Sequence, residues 1–325
     1  MIKQTIKIIL GVIILVVAVY YLSLGANFSK IAESFAKVNF FFFSLACLFL
    51  VLTTLVKVFR WRFMLADVKE IKFRSLLSVF YIAQFFSNIL PFRAGDVFQV
   101  VYLGKKEKVS KAIVLSSVIA YQVVDFISLL VIFIVASFFF VVSKNMFELA
   151  LILFIFSLVV LGLYVFFHRR IAGFLSGKEG WLYKKTHLLN DGLKMFGKLN
   201  VLYITIFYSI CMWILAFAQS YLILLAFGIK LSVSKIFLYL VVPMLVSILP
   251  STPGSFGIWE LGAVGTLSLF GIEKSLAIAI SFTNHFAGFI ISFMFGLYFV
   301  VSNGLMGFVF GKKILNEGNE REGSL

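Results

Sequence analysis

The sequence predicts an all-α integral membrane protein, with about six full spans and two Pro/Gly-broken re-entrant hairpins. Three observations predict it. Hydrophobic residues make up 62% of the chain and charged ones 13%, against about 25% charged in a typical soluble domain. Several apolar runs reach the roughly 18–20 residues needed to cross a hydrocarbon core. All four prolines fall in two otherwise apolar stretches, residues 88–96 and 243–262. Proline lacks an N–H and its ring clashes with the preceding turn, so neither stretch is one unbroken helix. In lipid, backbone groups freed at such a break are tolerated only when buried in protein or facing a watery cavity.

The elements follow in order. Lys3 and Lys7 precede an apolar run from 8 to about 24. It reads as an uncleaved first span rather than a signal peptide, because the run is long and residues 23–26 make a poor cleavage site. The nearly neutral loop 25–37 is expected outside. A second span covers 38 to about 56. The basic segment after it carries Lys57, Arg60, Arg62, Lys69, Lys72 and Arg74 against Asp67 and Glu70. It is expected to be a cytoplasmic loop with Trp61 at headgroup level. Residues 75–90 form a short apolar run that leads into a second basic stretch, 91–111. Two successive basic loops cannot both be cytoplasmic across a full span. The chain is therefore expected to enter the bilayer, break at Pro91 and return to the same side. The alternative is a full span with a basic external loop.

Residues 112–142 cross while carrying Gln122 and Asp125, and a clean span follows at 149–167. The basic, glycine-containing loop 168–198 is expected in the cytoplasm. Residues 201–227, with Gln219, cross outward. Residues 236–270 form the second re-entrant element, and 276–301 return inward with Asn284 and His285. The result is a single polytopic domain, 1–310, in pseudo-halves 1–143 and 144–310, with a disordered tail at 311–325. Both termini are cytoplasmic. An odd number of crossings per half inverts the second half relative to the first, and paired broken helices in inverted halves are a common transporter plan.

The net charge of +15 sits in short loops beside apolar spans, which is the positive-inside pattern rather than a nucleic-acid surface. Attraction to anionic headgroups is its secondary consequence. Cys47 and Cys211 lie in apolar runs and read as packing residues. Three histidines and no zinc-type spacing give no metal site, and no cofactor is implied.

Asp125 and Glu260 are acids inside apolar runs, and Asp96 lies in the first broken segment. Burying such charges is costly unless they are paired or wet, which marks them as functional candidates. The competing role is an ion pair that locks helix packing. Arg93 suits bidentate recognition of phosphate or carboxylate, its alternative being a positive-inside anchor. Asn88, Asn284 and His285 are further polar groups at membrane depth. Ser251 and Thr252 could offer hydroxyls beside a half-helix N-terminus. Pro91, Gly95, Pro250, Pro253, Gly254 and Gly257 are expected hinges. No nucleophile–base arrangement is visible.

Three segments occur in order: Arg60-Trp61-Arg62, Asn88-Ile89-Leu90-Pro91-Phe92-Arg93-Ala94-Gly95-Asp96, and Pro250-Ser251-Thr252-Pro253-Gly254-Ser255-Phe256-Gly257-Ile258-Trp259-Glu260. Together they resemble the lysylphosphatidylglycerol synthase transmembrane family, also called the flippase-like domain family, over residues 5–310. The resemblance implies an inner-membrane protein that handles lipids or lipid-linked sugars. In bifunctional members this domain moves aminoacylated phosphatidylglycerol between leaflets, while a separate soluble domain makes it. That soluble domain is not recognisable here, so synthase activity is not carried over. Some archaeal relatives are assigned as polyprenyl-linked glycosyltransferases. The family often has Glu at Asp96, Arg at Gln99 and Arg near Asn284 and His285, which leaves the headgroup charge open.

The expected function is flippase-like translocation of a lipid or lipid-linked saccharide. Arg93, Asp96 and Glu260 would hold the headgroup between the hairpins. The alternative is a membrane glycosyltransferase on a polyprenyl-phosphate carrier, with Asp96 or Glu260 activating the acceptor hydroxyl. A structural subunit of another envelope enzyme is a third reading. Expected partners are the bilayer and an anionic phospholipid or polyprenyl-phosphate lipid, with homodimerisation left open.

Overall fold

The computed structural model describes residues 13, 15–90, 94–139, 148, 151–152, 155, 199–247 and 252–306. The expected breaks at Pro91 and Pro250, together with Arg93 and Ser251, lie outside the described residues. So do the span 149–167, nearly all but its first residues, the loop 168–198 and the tail 311–325.

Every regular element among the described residues is helical. In chain order these are α1 (Leu15–Ser23), α2 (Phe28–Ala36), α3 (Phe40–Leu65), α4 (Phe73–Ile89), α5 (Ala94–Lys106), α6 (Lys111–Phe139), α7 (Leu199–Ala226) and α8 (Val233–Val246). A 3-10 turn (Pro253–Ser255), α9 (Ile258–Leu269) and α10 (Lys274–Ser302) complete the set. Four of them, α3, α6, α7 and α10, are long and apolar enough to cross a bilayer, and the bent pair α1–α2 could make a fifth span. The chain is a multi-pass helical membrane protein.

Two local expectations are corrected. The stretch read as an outer loop at 25–37 contains α2, bent 88° from α1. Gly25 at φ +70° makes the turn, and Asn27 caps α2 by accepting the Lys30 N–H at 3.2 Å. Lys274 pins this corner by donating to the Tyr21 and Leu24 carbonyls at 2.8 and 2.6 Å. The second correction is that α3 continues to Leu65, so Lys57, Arg60 and Trp61 are helical rather than part of a loop. Trp61 is 1% exposed, with its indole N–H on Ser117 Oγ at 3.0 Å, so it packs inside the helix bundle. A helix can bury this basic turn because Arg60 is paired from two neighbouring helices.

Side-chain registers fix how the helices run. Phe86 stacks near Phe98 at 4.4 Å, and Lys106 reaches Ser78 at 2.9 Å, so α5 folds back antiparallel on α4. Lys235 lies over the Phe270 ring at 5.4 Å while Pro243 abuts Gly262, so α9 folds back on α8 in the same way. α3 runs antiparallel to α7, joining Arg60 to Ser209 near one end and Asn39 to Ala226 at the other. α4 runs antiparallel to α10, with Tyr81 stacked on Phe295 and Asn88 bonded to Ser292. α4 also touches the 3-10 turn that precedes α9.

Between helices in lipid the hydrophobic effect offers little, so close approach at small residues sets the packing. A Cβ on Gly95 would overlap the Ala83 carbonyl oxygen and the Ser87 hydroxyl. One on Gly262 would sit 3.0 Å from Pro243 Cα. Each hairpin is thus closed over a glycine. Pro243 lies within α8 rather than at its end, and the break comes after Val246. Large apolar side chains such as Phe40, Val97, Ile210 and Tyr298 remain exposed, as a lipid-facing surface requires.

Candidate functional site: a polar cavity where the hairpin tips meet

A cavity of about 810 Å³ lies between the two hairpin tips and the long helices. α3 contributes Lys57 and Arg60, α4 contributes Gln84 and Asn88, and α5 contributes Asp96. α6 adds Tyr121, Gln122 and Asp125, and α7 adds Trp213 and Gln219. The second tip and α10 supply Thr252, Gly254, Ser255, Trp259, Asn284 and His285. Polar and charged side chains from α3, α4, α5, α6, α7 and α10 thus line one hollow.

At the first tip, Asn88 Nδ2 donates to Ser292 Oγ at 2.8 Å and fastens the end of α4 to α10. Asp96 sits in the first turn of α5, where unsatisfied N–H groups and the helix dipole favour a carboxylate. Its Oδ2 accepts from Gln122 Nε2 at 3.0 Å. One turn later, Gln99 accepts from the Tyr121 hydroxyl at 3.0 Å.

The second tip is tighter. Thr252 Oγ1 donates to the Phe256 carbonyl at 2.6 Å, and Pro253 opens the 3-10 turn. Gly257 has φ +89° at the N-cap of α9, a conformation other residues adopt only under strain. The Gly257 N–H donates to Glu260 Oε2 at 2.6 Å, and Glu260 Oε1 pairs with His285 Nδ1 at 2.5 Å. Glu260 is 6% exposed and is not on the cavity wall. It caps its own helix and holds the imidazole that is on the wall. His285 is flanked by the Phe256 and Trp259 rings, with centroids at 4.7 and 4.9 Å. With Nδ1 engaged, Nε2 is the ring nitrogen left to meet a ligand.

On the side walls, Arg60 Nη1 donates to Asp125 Oδ1 at 2.6 Å and to Ser209 Oγ at 2.8 Å, joining α3, α6 and α7. Asn284 accepts from Gln219 at 2.7 Å and donates to the Tyr239 hydroxyl at 3.1 Å, joining α7, α8 and α10.

Of the residues singled out from sequence, Asn88, Asp96, Asp125, Thr252, Gly254, Asn284 and His285 share this cavity. Gly95 lies at the hairpin crossing, Gly257 at the α9 cap, and Glu260 behind the wall. Sequence reasoning missed Lys57, Arg60, Gln219 and Trp213 as wall residues. One signal was available: Asp125 in an apolar run requires a basic partner, and Lys57 and Arg60 stand one turn apart at the edge of another apolar run. Among the described residues, no group of three or more His, Cys, Asp or Glu side chains is placed to hold a metal ion.

The arrangement presents both charge signs and many hydrogen-bonding groups to one cavity, which suits a polar, charged ligand. Residues 8–296 match the family described as the lysylphosphatidylglycerol synthase TM region. A UPF0104 membrane protein of Methanocaldococcus jannaschii is 22% identical over 316 residues, covering 90% of this chain and 93% of that protein. A UPF0104 membrane protein of Methanothermobacter thermautotrophicus is 23% identical over 320 residues, covering 89% and 91%. No solved structure matches this chain.

Proposed function

The chain belongs to the family of the lysylphosphatidylglycerol synthase transmembrane region, and from that premise we propose that it translocates a lipid or lipid-linked saccharide across the cytoplasmic membrane. The headgroup would pass through the cavity between the hairpin tips while the acyl or prenyl chains stay in lipid. The observation that carries this reading is the polar hollow ringed by Asp96, Gln122, Asn284 and His285 in a fold whose described helices expose large apolar side chains. A headgroup dragged through hydrocarbon loses its hydrogen bonds, at several kcal/mol per polar group. A wall of amides, hydroxyls and fixed charges replaces them.

The helix registers support an inverted-repeat arrangement. α3–α6 and α7–α10 share one order: a long helix, a hairpin, a long helix. The corresponding helices α3 and α7 run antiparallel. On this reading the hairpins dip into the bilayer from opposite faces, and one four-helix unit rocks against the other around the cavity. The end carrying Lys69, Lys72, Arg74, Lys105, Lys106, Lys108 and Lys111 would be cytoplasmic under the positive-inside rule.

The test is reconstitution of the purified chain in vesicles with fluorescent phosphatidylglycerol or a polyprenyl-phosphate sugar, followed by leaflet-specific quenching. Wild type should translocate at least one of them faster than protein-free vesicles. Asp96→Ala and His285→Ala should each slow it by about tenfold or more, the loss expected for one charge-assisted hydrogen bond. Rates equal to protein-free vesicles for both lipids would end the proposal.

A further inference from the structure

We propose that Lys57, Arg60 and Trp213 form an oxyanion subsite of the phosphate class on the α3–α7 wall of the cavity. This assignment rests on the translocation reading and specifies which part of the ligand that wall receives.

All three side chains carry donors only. Arg60 is 2% exposed. Its Nη1 is used by Asp125 and Ser209, but its buried Nε–H has no acceptor. Trp213 is 8% exposed, and its buried indole N–H likewise has none. Buried donors without partners are rare in folded proteins and ask for an explanation. Both residues line the same hollow. Trp213 and Val56 belong to one packed cluster, and Lys57 follows Val56 on α3.

Lys57 supplies the charge. It lines the cavity one helical turn before Arg60. Among the described residues its ammonium makes no hydrogen bond or ion pair. Asp125 is already neutralised by Arg60. The other carboxylate on the cavity, Asp96, belongs to the α5–α6 side, where it accepts from Gln122. Among the described residues this wall therefore carries a lysine without a counter-ion and, enclosed just behind its surface, two N–H donors without acceptors. A singly charged phosphodiester has complementary valence: two non-bridging oxygens, several lone pairs and one negative charge. The same chemistry is offered by a lipid headgroup or by free phosphate.

The experiment is calorimetric titration of the detergent-purified chain with short-chain phosphatidylglycerol, the diacylglycerol of equal chain length, and inorganic phosphate. Wild type, Lys57→Gln, Trp213→Phe and the exposed control Lys230→Gln are compared. Phosphatidylglycerol should bind and diacylglycerol should not. Lys57→Gln and Trp213→Phe should each weaken binding about tenfold, as removal of one hydrogen bond to a charged group does, with Lys230→Gln unchanged. If inorganic phosphate binds as tightly as the lipid and loses affinity in the same variants, the subsite stands with free anion as its source. Equal binding of diacylglycerol, no binding of any probe, or wild-type affinity in both Lys57→Gln and Trp213→Phe overturns it. Vesicle assays separate the two claims. Translocation that survives both substitutions leaves transport standing without this subsite. Lost binding in a chain that never translocated leaves a lipid-anion site without transport.

Discussion

Removing Asp125 should cost more than its own exposure suggests, because of what it strands. Its side chain is 27% exposed, while that of Arg60 is 2% exposed. Asp125→Ala leaves a buried guanidinium held only by Ser209, with the Lys57 ammonium one turn away. Breaking a buried pair from one side typically costs about 3–5 kcal/mol. Two features lower that figure here. Asp125 borders a polar cavity that can supply water, and membrane chains find substitute polar partners when unfolded, which reduces net polar contributions. The expected loss is about 2–3 kcal/mol. Asp125→Asn keeps an acceptor and should lose about 1 kcal/mol. The double variant Arg60→Met with Asp125→Leu removes both charges, and should lie within about 1 kcal/mol of wild type. Unfolding by SDS titration from mixed micelles, followed by far-UV circular dichroism, ranks Asp125→Ala and Asp125→Asn, and the same measurement on wild type, Arg60→Met, Asp125→Leu and the double variant closes the cycle. A double variant as unstable as the sum of its two singles would refute the pairing argument. So would Asp125→Ala losing less than about 0.5 kcal/mol, the level of an exposed pair.

Other consequences follow from single contacts. Gly95→Ala places a methyl on the Ala83 carbonyl and Ser87 hydroxyl, and should destabilise by about 1–3 kcal/mol. Gly265→Ala meets nothing within 4 Å and should be neutral or stabilising by up to about 1 kcal/mol; equal shifts for the two in SDS titrations would contradict the close-approach reading. Glu260→Ala removes the α9 cap and the His285 anchor together and should lose about 2 kcal/mol, whereas His285→Asn should slow vesicle translocation at much smaller cost in stability. If His285→Asn is as unstable as Glu260→Ala, the division between a supporting carboxylate and a ligand-facing imidazole is wrong. For topology, single cysteines at Lys69 and Lys274, placed in a Cys47→Ala, Cys211→Ala background, should react with an impermeant maleimide from opposite sides of the membrane. Labelling of both from the same side would overturn the proposed orientation.

The helical membrane class was legible because composition alone leaves no soluble solution, and the interruptions after α4 and α8 because proline and glycine punctuate otherwise apolar runs. Asp125 and Asp96 were legible as site candidates because a charge at membrane depth needs a reason. What escaped was pairing. Arg60 stands in a basic cluster at the end of an apolar run, a pattern that ordinarily marks the end of a span. Only the three-dimensional meeting of α3 with α6 and α7 makes it the buried partner of Asp125. Glu260 escaped in the opposite sense. Its position three residues after Gly257 is a capping-box spacing, yet within an apolar run its charge drew attention to ligand binding. α2 was missed because Asn27 as a cap and Gly25 as a turn are short-range signals in a segment read by its neutrality.

The two hairpins solve one local problem with different residues. In each, the returning helix has an acid at its third position, Asp96 in α5 and Glu260 in α9. There the unsatisfied N–H groups of the first turn favour negative charge. In each, that acid reaches the long helix that follows, Asp96 to Gln122 on α6 and Glu260 to His285 on α10. The correspondence of position and of partner helix supports reading the halves as repeats, although the side chains differ. It also explains an asymmetry in the cavity. Asp96 is short and stays on the wall with its amide partner. Glu260 has one more methylene and bends back onto the Gly257 N–H, so the group presented to the cavity from that hairpin is the imidazole it carries. Under the proposed translocation, a ligand moving through the cavity would thus meet a carboxylate on α5 and a histidine nitrogen on α10. Such a path can hand a headgroup from one set of donors and acceptors to another without either set binding it too tightly to release.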